Sequence, residues 1–219
     1  MTKRGKVFTA IGLLLLALAL CLTAYNLITD ALASMQVKVR LEELKPQIEA
    51  AQEQTQQAAQ PIRETVLEEI PDYLLNPGMD MPVKTVDGVD YIGVLEIPAL
   101  SLELPVISTW SYPNLKLAPC RYDGSAYTHD LVISGHNYAG HFRDLKKLQV
   151  QDAVIFTDTD GNVFSYAVAA LETLAPTAVE EMTSGEWDLT LFTCTVGGQA
   201  RLAVRCESAD ALPARYAEE

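Results

Sequence analysis

Leu189-Thr190-Leu191-Phe192-Thr193, with Cys194 at its end, followed by Gly197-Gly198 and then Arg201-Leu202-Ala203-Val204-Arg205-Cys206, reads as two β-strands, 189–193 and 201–206, joined by a glycine turn. Both runs are dominated by β-branched and aliphatic residues, and the glycine pair tolerates the positive φ of a tight reversal. Alternate residues of a strand share a face. Thr190, Phe192 and Cys194 therefore lie together on the first strand, and Arg201, Ala203 and Arg205 on the second. A hairpin brings Cys194 close to Arg201 across its neck. Arg205 stands roughly 13 Å further along at about 3.3 Å per residue, so Arg201 is the expected neighbour of the thiol. With His136 upstream, the chain carries the three groups that a cysteine acyl-transfer site requires: a nucleophile, a proton carrier and a fixed donor for the developing oxyanion.

Working outward, the same period of two recurs at 91–97, 102–107, 131–134, 153–157 and 163–171, with Asp160-Gly161 as a hairpin signal between the last two. Many short strands with little room between them for helices suggest a closed β-barrel. A single short helix fits 141–148, where Phe142, Leu145 and Leu148 recur at helical spacing.

Toward the N-terminus the character changes. Residues 7–29 carry no charge, and such a helix reaches roughly 34 Å at about 1.5 Å per residue, enough for a hydrocarbon core of about 30 Å. Lys3, Arg4 and Lys6 precede it and Asp30 follows, which keeps the short N-terminus in the cytoplasm and exports the rest. Ala31-Leu32-Ala33 has the form of a signal-peptidase site, but the apolar run exceeds the usual signal length of about 7 to 15 residues, which favours an anchor. Residues 35–70 are rich in Gln, Glu and Ala, with Leu41, Leu44 and Ile48 and again Ile62, Val66 and Ile70 on one helical face. Pro46 and Pro61 divide this stretch into two or three helical pieces; a partly disordered spacer around 52–60 fits the composition as well. Pro71, Pro77, Pro82, Gly78 and Gly88 mark 71–90 as a linker.

The formal net charge of -13 argues against nucleic acid as a partner and suits a soluble exported surface. Of four cysteines, Cys21 lies in the apolar span, which leaves an odd number for export. At least one thiol is therefore expected to be free within the chain. Cys194 is the candidate, while Cys120 and Cys206 could pair. His136 and His141 lack any Cys-x-x-Cys or His-Glu-x-x-His context, and no metal or cofactor is expected.

Leu131-Val-Ile-Ser-Gly-His136, Phe142-Arg-Asp-Leu145, Leu148, Asp152, Asp160-Gly161, Tyr166, Leu189-Thr-Leu-Phe-Thr-Cys194 and Arg201-Leu-Ala-Val-Arg205 together resemble the sortases. These are membrane-anchored cysteine transpeptidases of mainly Gram-positive bacteria. The resemblance runs in order from about Tyr91 to Glu207. It implies a mainly β fold: a closed eight-stranded barrel with short helices, preceded by a transmembrane helix and a helical stalk. It also implies cleavage of a Leu-Pro-x-Thr-Gly-like sorting signal on secreted proteins, a Cys thioacyl intermediate, and transfer to an amine of a cell-wall precursor or a pilin lysine. By motif position the nucleophile maps to Cys194, the acid/base to His136 and the arginine to Arg201.

The implied organisation is a cytoplasmic tail (1–6), a transmembrane anchor (7–29), a helical stalk (30–70), a linker (71–90), a catalytic barrel (91–208) and a C-terminal tail (209–219) of a single-pass plasma-membrane protein with its catalytic domain outside. The class is not assigned. Glu180, Glu181 and Glu186 read as solvated loop residues rather than a calcium site, no apolar span follows Glu207, and Asn76-Pro77-Gly78 is at most a distant echo of a lid motif. Two other functions compete: a β-barrel cysteine protease acting by hydrolysis, and a non-catalytic membrane-tethered binding module.

Overall fold

The computed structural model describes residues 3–58 and 71–209. Its first element is one long helix, α1 (Lys3–Ala58). Residues 7–28 of this helix are exposed, and the helix is long and apolar enough to cross a membrane. Below that stretch its character reverses. Ala33, Val37, Leu44 and Ile48 are buried and Leu41 is half-buried, a spacing of three and four residues that places them on one face.

The helix runs through Pro46 rather than breaking there. A proline inside a helix removes one hydrogen bond and crowds the preceding turn, at a cost of about 3 kcal/mol. Burial of Leu44 and Ile48, at roughly 1.5 to 3 kcal/mol each, offsets it. Polar contacts complete the docking. Lys45 Nζ lies 2.7 Å from Glu103 Oε1, Arg40 pairs with Asp87, and Gln52 Nε2 donates to Gly161 O at 3.1 Å. The further stalk face at Ile62, Val66 and Ile70, and the tail from 210 on, lie outside the described residues.

Then come α2 (Asp72–Leu75), β1 (Lys84–Val86), β2 (Val89–Ile97), β3 (Leu102–Ile107), α3 (Tyr112–Leu115), β4 (Cys120–Asp123), β5 (Leu131–Ser134), β6 (Ala153–Asp158), β7 (Val163–Leu174), α4 (Val179–Met182), β8 (Leu189–Cys194) and β9 (Arg201–Ser208). Hydrogen bonding runs in the order β2-β3-β4-β5-β8-β9-β7-β6, and β6 returns to pair with β2. The result is a closed eight-stranded barrel, with β1 paired to β2 outside the ring. Closure leaves the ring without a free edge. Most pairs are antiparallel, but β3–β4 and β5–β8 are parallel. One apolar core includes Leu95, Ile97, Leu104, Leu131, Phe156 and Val204, and the docked face of α1 joins it through Val37, Leu44 and Ile48.

Two strands escape a reading by periodicity. β1 lies inside the stretch read as linker, joined to β2 by Asp87-Gly88, whose φ values of 49° and 75° belong to a two-residue hairpin turn. β4, Cys-Arg-Tyr-Asp, is too polar and short to show an alternation, and its register shifts between Arg121 and Asp123. In the expected helix at 141–148, the backbone instead forms turns and a short 3-10 segment, Leu145–Lys147, although Phe142, Leu145 and Leu148 are all buried as that spacing anticipated. The Asp160-Gly161 connection is a wider loop than a two-residue turn, capped by Asp158. Its carboxylate accepts from Asp160 N and Asn162 N at 2.9 Å and from Tyr127 Oη at 2.7 Å.

Candidate active site

Strand register assembles the site. β8 and β9 pair antiparallel with Cys194 directly opposite Arg201. The connecting loop is closed by Thr195 N donating to Ala200 O at 3.0 Å and Gly198 N donating to Thr195 O at 2.8 Å. Gly197 and Gly198 have φ of 85° and 72°, a conformation costly for residues with a Cβ, which explains the glycine pair. On the other side of β8, β5 runs parallel with Ser134 opposite Phe192, and Gly135 N continues the ladder by donating to Phe192 O at 3.0 Å. Two residues past each of those partners stand His136 and Cys194. Neighbouring strands lie about 4.8 Å apart, so imidazole, thiol and guanidinium are carried by three adjacent chain segments with the thiol in the middle.

All three side chains line one groove of about 240 Å³ and are half-buried. Its lining residues Tyr122, Met182 and Phe192 belong to a second apolar cluster, separate from the main core, with Val132, Ala203 and Leu174. An aromatic series forms one side, Trp110 edge-on to Tyr112 at 5.1 Å and to Tyr122 at 5.8 Å, and Tyr122 edge-on to Phe192 at 5.2 Å. Ala175, Pro176 and Val179, from the connection between β7 and β8, also line the groove. Groove residues such as Trp110 and Tyr112 carry no sequence pattern, because α3 and its loop fold onto the barrel through long-range packing.

The two arginines separate cleanly. Arg201 donates through Nη1 to Gly198 O at 3.2 Å and Ala200 O at 3.1 Å, leaving Nε and Nη2 without a partner among the described residues. Arg205, 3% exposed, is consumed by structure. Its Nε donates to Glu172 at 3.0 Å, Nη1 to Thr190 Oγ1 at 3.0 Å and Nη2 to Glu181 O at 2.8 Å, which ties β9 to α4 and hence to the groove wall. Glu180, Glu181 and Glu186 are exposed. Among the described residues, no three His, Cys, Asp or Glu side chains converge as a metal site. Cys120 and Cys206 are buried free thiols rather than a bridge.

His136 stacks on Tyr138 with ring centroids 4.5 Å apart, and its Nε2 is buried without a partner among the described residues. Burial, and secondarily the Lys116 cation, lower its pKa, so the ring is neutral at pH 7. His141, 1% exposed with both nitrogens unpartnered, is pushed down to about 4 by burial. Between pH 6.5 and 4 the folded protein thus binds fewer protons at His141 than the unfolded chain, and stability falls as pH falls through that window. We expect His141→Phe to remove about 2 kcal/mol of that acid-induced loss, measured by urea unfolding of both proteins at pH 7 and pH 4.5. An identical loss in the two proteins would show that the ring is protonated while folded.

The family model described as Sortase domain matches residues 95–209. Sortase A of Bacillus anthracis is 28% identical over 116 residues, 50% of this chain and 55% of that protein, so the matched stretch spans about half the length of that relative. A Clostridium perfringens Sortase D5 transpeptidase superposes with a TM-score of 0.55 at 19% identity, over 80% of this chain and 98% of that one. Clostridium perfringens sortase C, solved with the C-terminal cell wall sorting motif, superposes with a TM-score of 0.50 at 22% identity, over 78% and 90% of the two chains. At these identities the structural likenesses speak for the fold.

Proposed function

The chain belongs to the sortase family, and on that premise we propose that it is a cysteine transpeptidase using Cys194 as nucleophile, His136 as acid/base and Arg201 as the oxyanion or backbone donor. The observation carrying this reading is the alignment of the three side chains along one groove, fixed by the Ser134–Phe192 and Cys194–Arg201 registers. Neutral His136 takes the proton of the Cys194 thiol as sulfur attacks the scissile carbonyl carbon. The negative charge that develops on oxygen is met by Arg201, whose planar fork retains two unengaged nitrogens. Collapse of the tetrahedral species breaks the C–N bond, and the imidazolium returns its proton to the departing amine. A thioacyl-enzyme remains. An incoming amine then attacks it, giving up a proton to His136, and the thiolate leaves as the product amide forms.

The apolar and aromatic lining of the groove suits a short extended peptide bearing aliphatic side chains, in keeping with a Leu-Pro-x-Thr-Gly-like signal at the C-terminal end of a secreted protein. That the related sortase C was solved with a cell wall sorting motif supports this substrate class. The acceptor is an amine of a cell-wall precursor or a pilin lysine. Residues 7–29 hold the protein in the plasma membrane with the basic N-terminus inside and the barrel outside.

The test is a panel of sorting-signal peptides with candidate amines, read by product mass. At least one peptide is expected to be cut with the amine incorporated. Cleavage in which added amine never enters the product would replace transpeptidation with hydrolysis, and no cleavage of any peptide would favour a binding module.

A further inference from the structure

The loop that follows His136 is held from two sides. From within, Phe142 is fully buried and its N–H donates to His136 O at 3.0 Å. Its ring sits so close beneath Gly135 that a Cβ there would lie 2.4 Å from Phe142 Cδ2. From outside, the loop meets α1. Asp30 is the first charged residue after the apolar stretch. It accepts the Ala139 backbone N–H on Oδ1 at 2.6 Å and the Arg143 guanidinium Nη1 on Oδ2 at 3.0 Å. One helical turn later the backbones nearly touch: a Cβ on Gly140 would lie 2.4 Å from Ser34 Oγ and 2.6 Å from Ser34 Cα. Gly140 does not have positive φ, so its lack of a side chain serves this close approach rather than a turn. The Asp30 carboxylate also faces buried His141, opposing the fall in that ring's pKa.

These contacts join segments more than a hundred residues apart in the chain. They are local on the helix, within one turn of the point where the apolar stretch ends. The loop's other ties are to itself, His141 N and Arg143 N both donating to Tyr138 O at 3.0 and 3.2 Å. Among the described residues, no other hydrogen bond ties its outer backbone to the rest of the protein. The Ala139 N–H and the Arg143 guanidinium thus share one carboxylate, a charge-assisted arrangement about twice as strong as a neutral pair.

We propose that Asp30 is a positioning residue, through which the membrane-proximal turn of α1 sets the His136 loop and completes the site. The proposal rests on the reading of His136 as acid/base. Asp30 touches no reacting atom. It acts by restricting where the imidazole can stand relative to Cys194, and a displacement of about 1 Å at such a position can cost up to about 100-fold in rate. Catalytic competence is thereby tied to docking of the anchor helix against the barrel.

The test uses the full chain in detergent micelles with a peptide and amine that support turnover. Asp30→Ala is expected to lower kcat about tenfold with KM within about twofold of the parent, since the groove is untouched. Asp30→Asn, which keeps an acceptor for the Ala139 N–H but loses the charge, should recover part of that loss. Gly140→Ala should reproduce the Asp30→Ala effect by pushing the loop off Ser34. The double variant should be no worse than the more severe single one, because both break the same junction. Thermal unfolding midpoints are recorded alongside. A kcat for Asp30→Ala within about twofold of the parent, a loss confined to KM, a loss not relieved at all in Asp30→Asn, or full multiplicativity with Gly140→Ala overturns the proposal. If His136→Ala also leaves kcat unchanged, the acid/base reading falls with it. If His136→Ala is crippled while Asp30→Ala is indifferent, only the role of Asp30 falls.

Discussion

Cys194→Ala is expected to abolish the acyl-enzyme mass and reduce peptide turnover to background, whereas Arg201→Ala should leave a reactive thiol but slow turnover by about 100- to 1,000-fold, the usual effect of losing an oxyanion donor. The two outcomes differ because, in the proposed scheme, sulfur forms the covalent bond and the guanidinium only stabilises charge that develops on oxygen. Arg201→Lys should recover little, since a point charge cannot reproduce a planar fork anchored by Gly198 O and Ala200 O. Alkylation provides an independent check. Burial pushes the Cys120 thiol up to about 12 and raises that of Cys206, so neither should compete for iodoacetamide at neutral pH. In a Cys21→Ser background, Cys194 should be the one thiol labelled rapidly. Turnover that survives Cys194→Ala would remove the nucleophile from the scheme.

Arg205→Ala is expected to be the most destabilising single substitution in the site region, by about 3 to 5 kcal/mol in urea unfolding. Its guanidinium is buried and bonded to Glu172, Thr190 Oγ1 and the Glu181 carbonyl. Truncation leaves the Thr190 hydroxyl and the Glu181 carbonyl without this donor and frees α4, the element that walls the groove. Arg201→Ala, at a half-buried hairpin end, should by contrast shift unfolding by no more than about 0.5 kcal/mol. The pair of variants thus separates stability from rate between two arginines four residues apart. Equal stability of the two proteins would show that the Arg205 network contributes nothing net.

Where the chain alternates, its strands are legible. The runs at 131–134 and 102–107 coincide with β5 and β3, and those at 153–157, 189–193 and 201–206 fall one or two residues short of β6, β8 and β9. These apolar runs stand out because the strands lie in the core, β5 buried at every residue and β8 at all but Cys194. β4 carries Arg121, Tyr122 and Asp123 on a bulged segment, and so shows no such signal. Asp87-Gly88 is a hairpin signal hidden by the surrounding prolines, and Asp160-Gly161, the same dipeptide, heads a loop organised instead by the Asp158 carboxylate. Pro46 misleads for a related reason: helix propensity is local, while the burial of Leu44 and Ile48 that carries α1 through it is tertiary.

Within the site, the preference for Arg201 over Arg205 follows from hairpin geometry alone, since a two-residue period and a short turn specify which residues face each other. The placement of His136 does not follow in that way. It depends on β5 lying parallel to β8, a pairing between segments separated by β6, β7 and α4, which no local pattern encodes. The same holds for the aromatic side of the groove and for the hold of Asp30 on the His136 loop. Local covalent rules and apolar period were thus enough to specify seven of the nine strands, the membrane-length helix and the facing of Cys194 toward Arg201. Barrel closure decided which distant segments became neighbours, because side chains far apart in the chain are brought into contact only when burial of a shared core outweighs the entropy of closing the intervening loops.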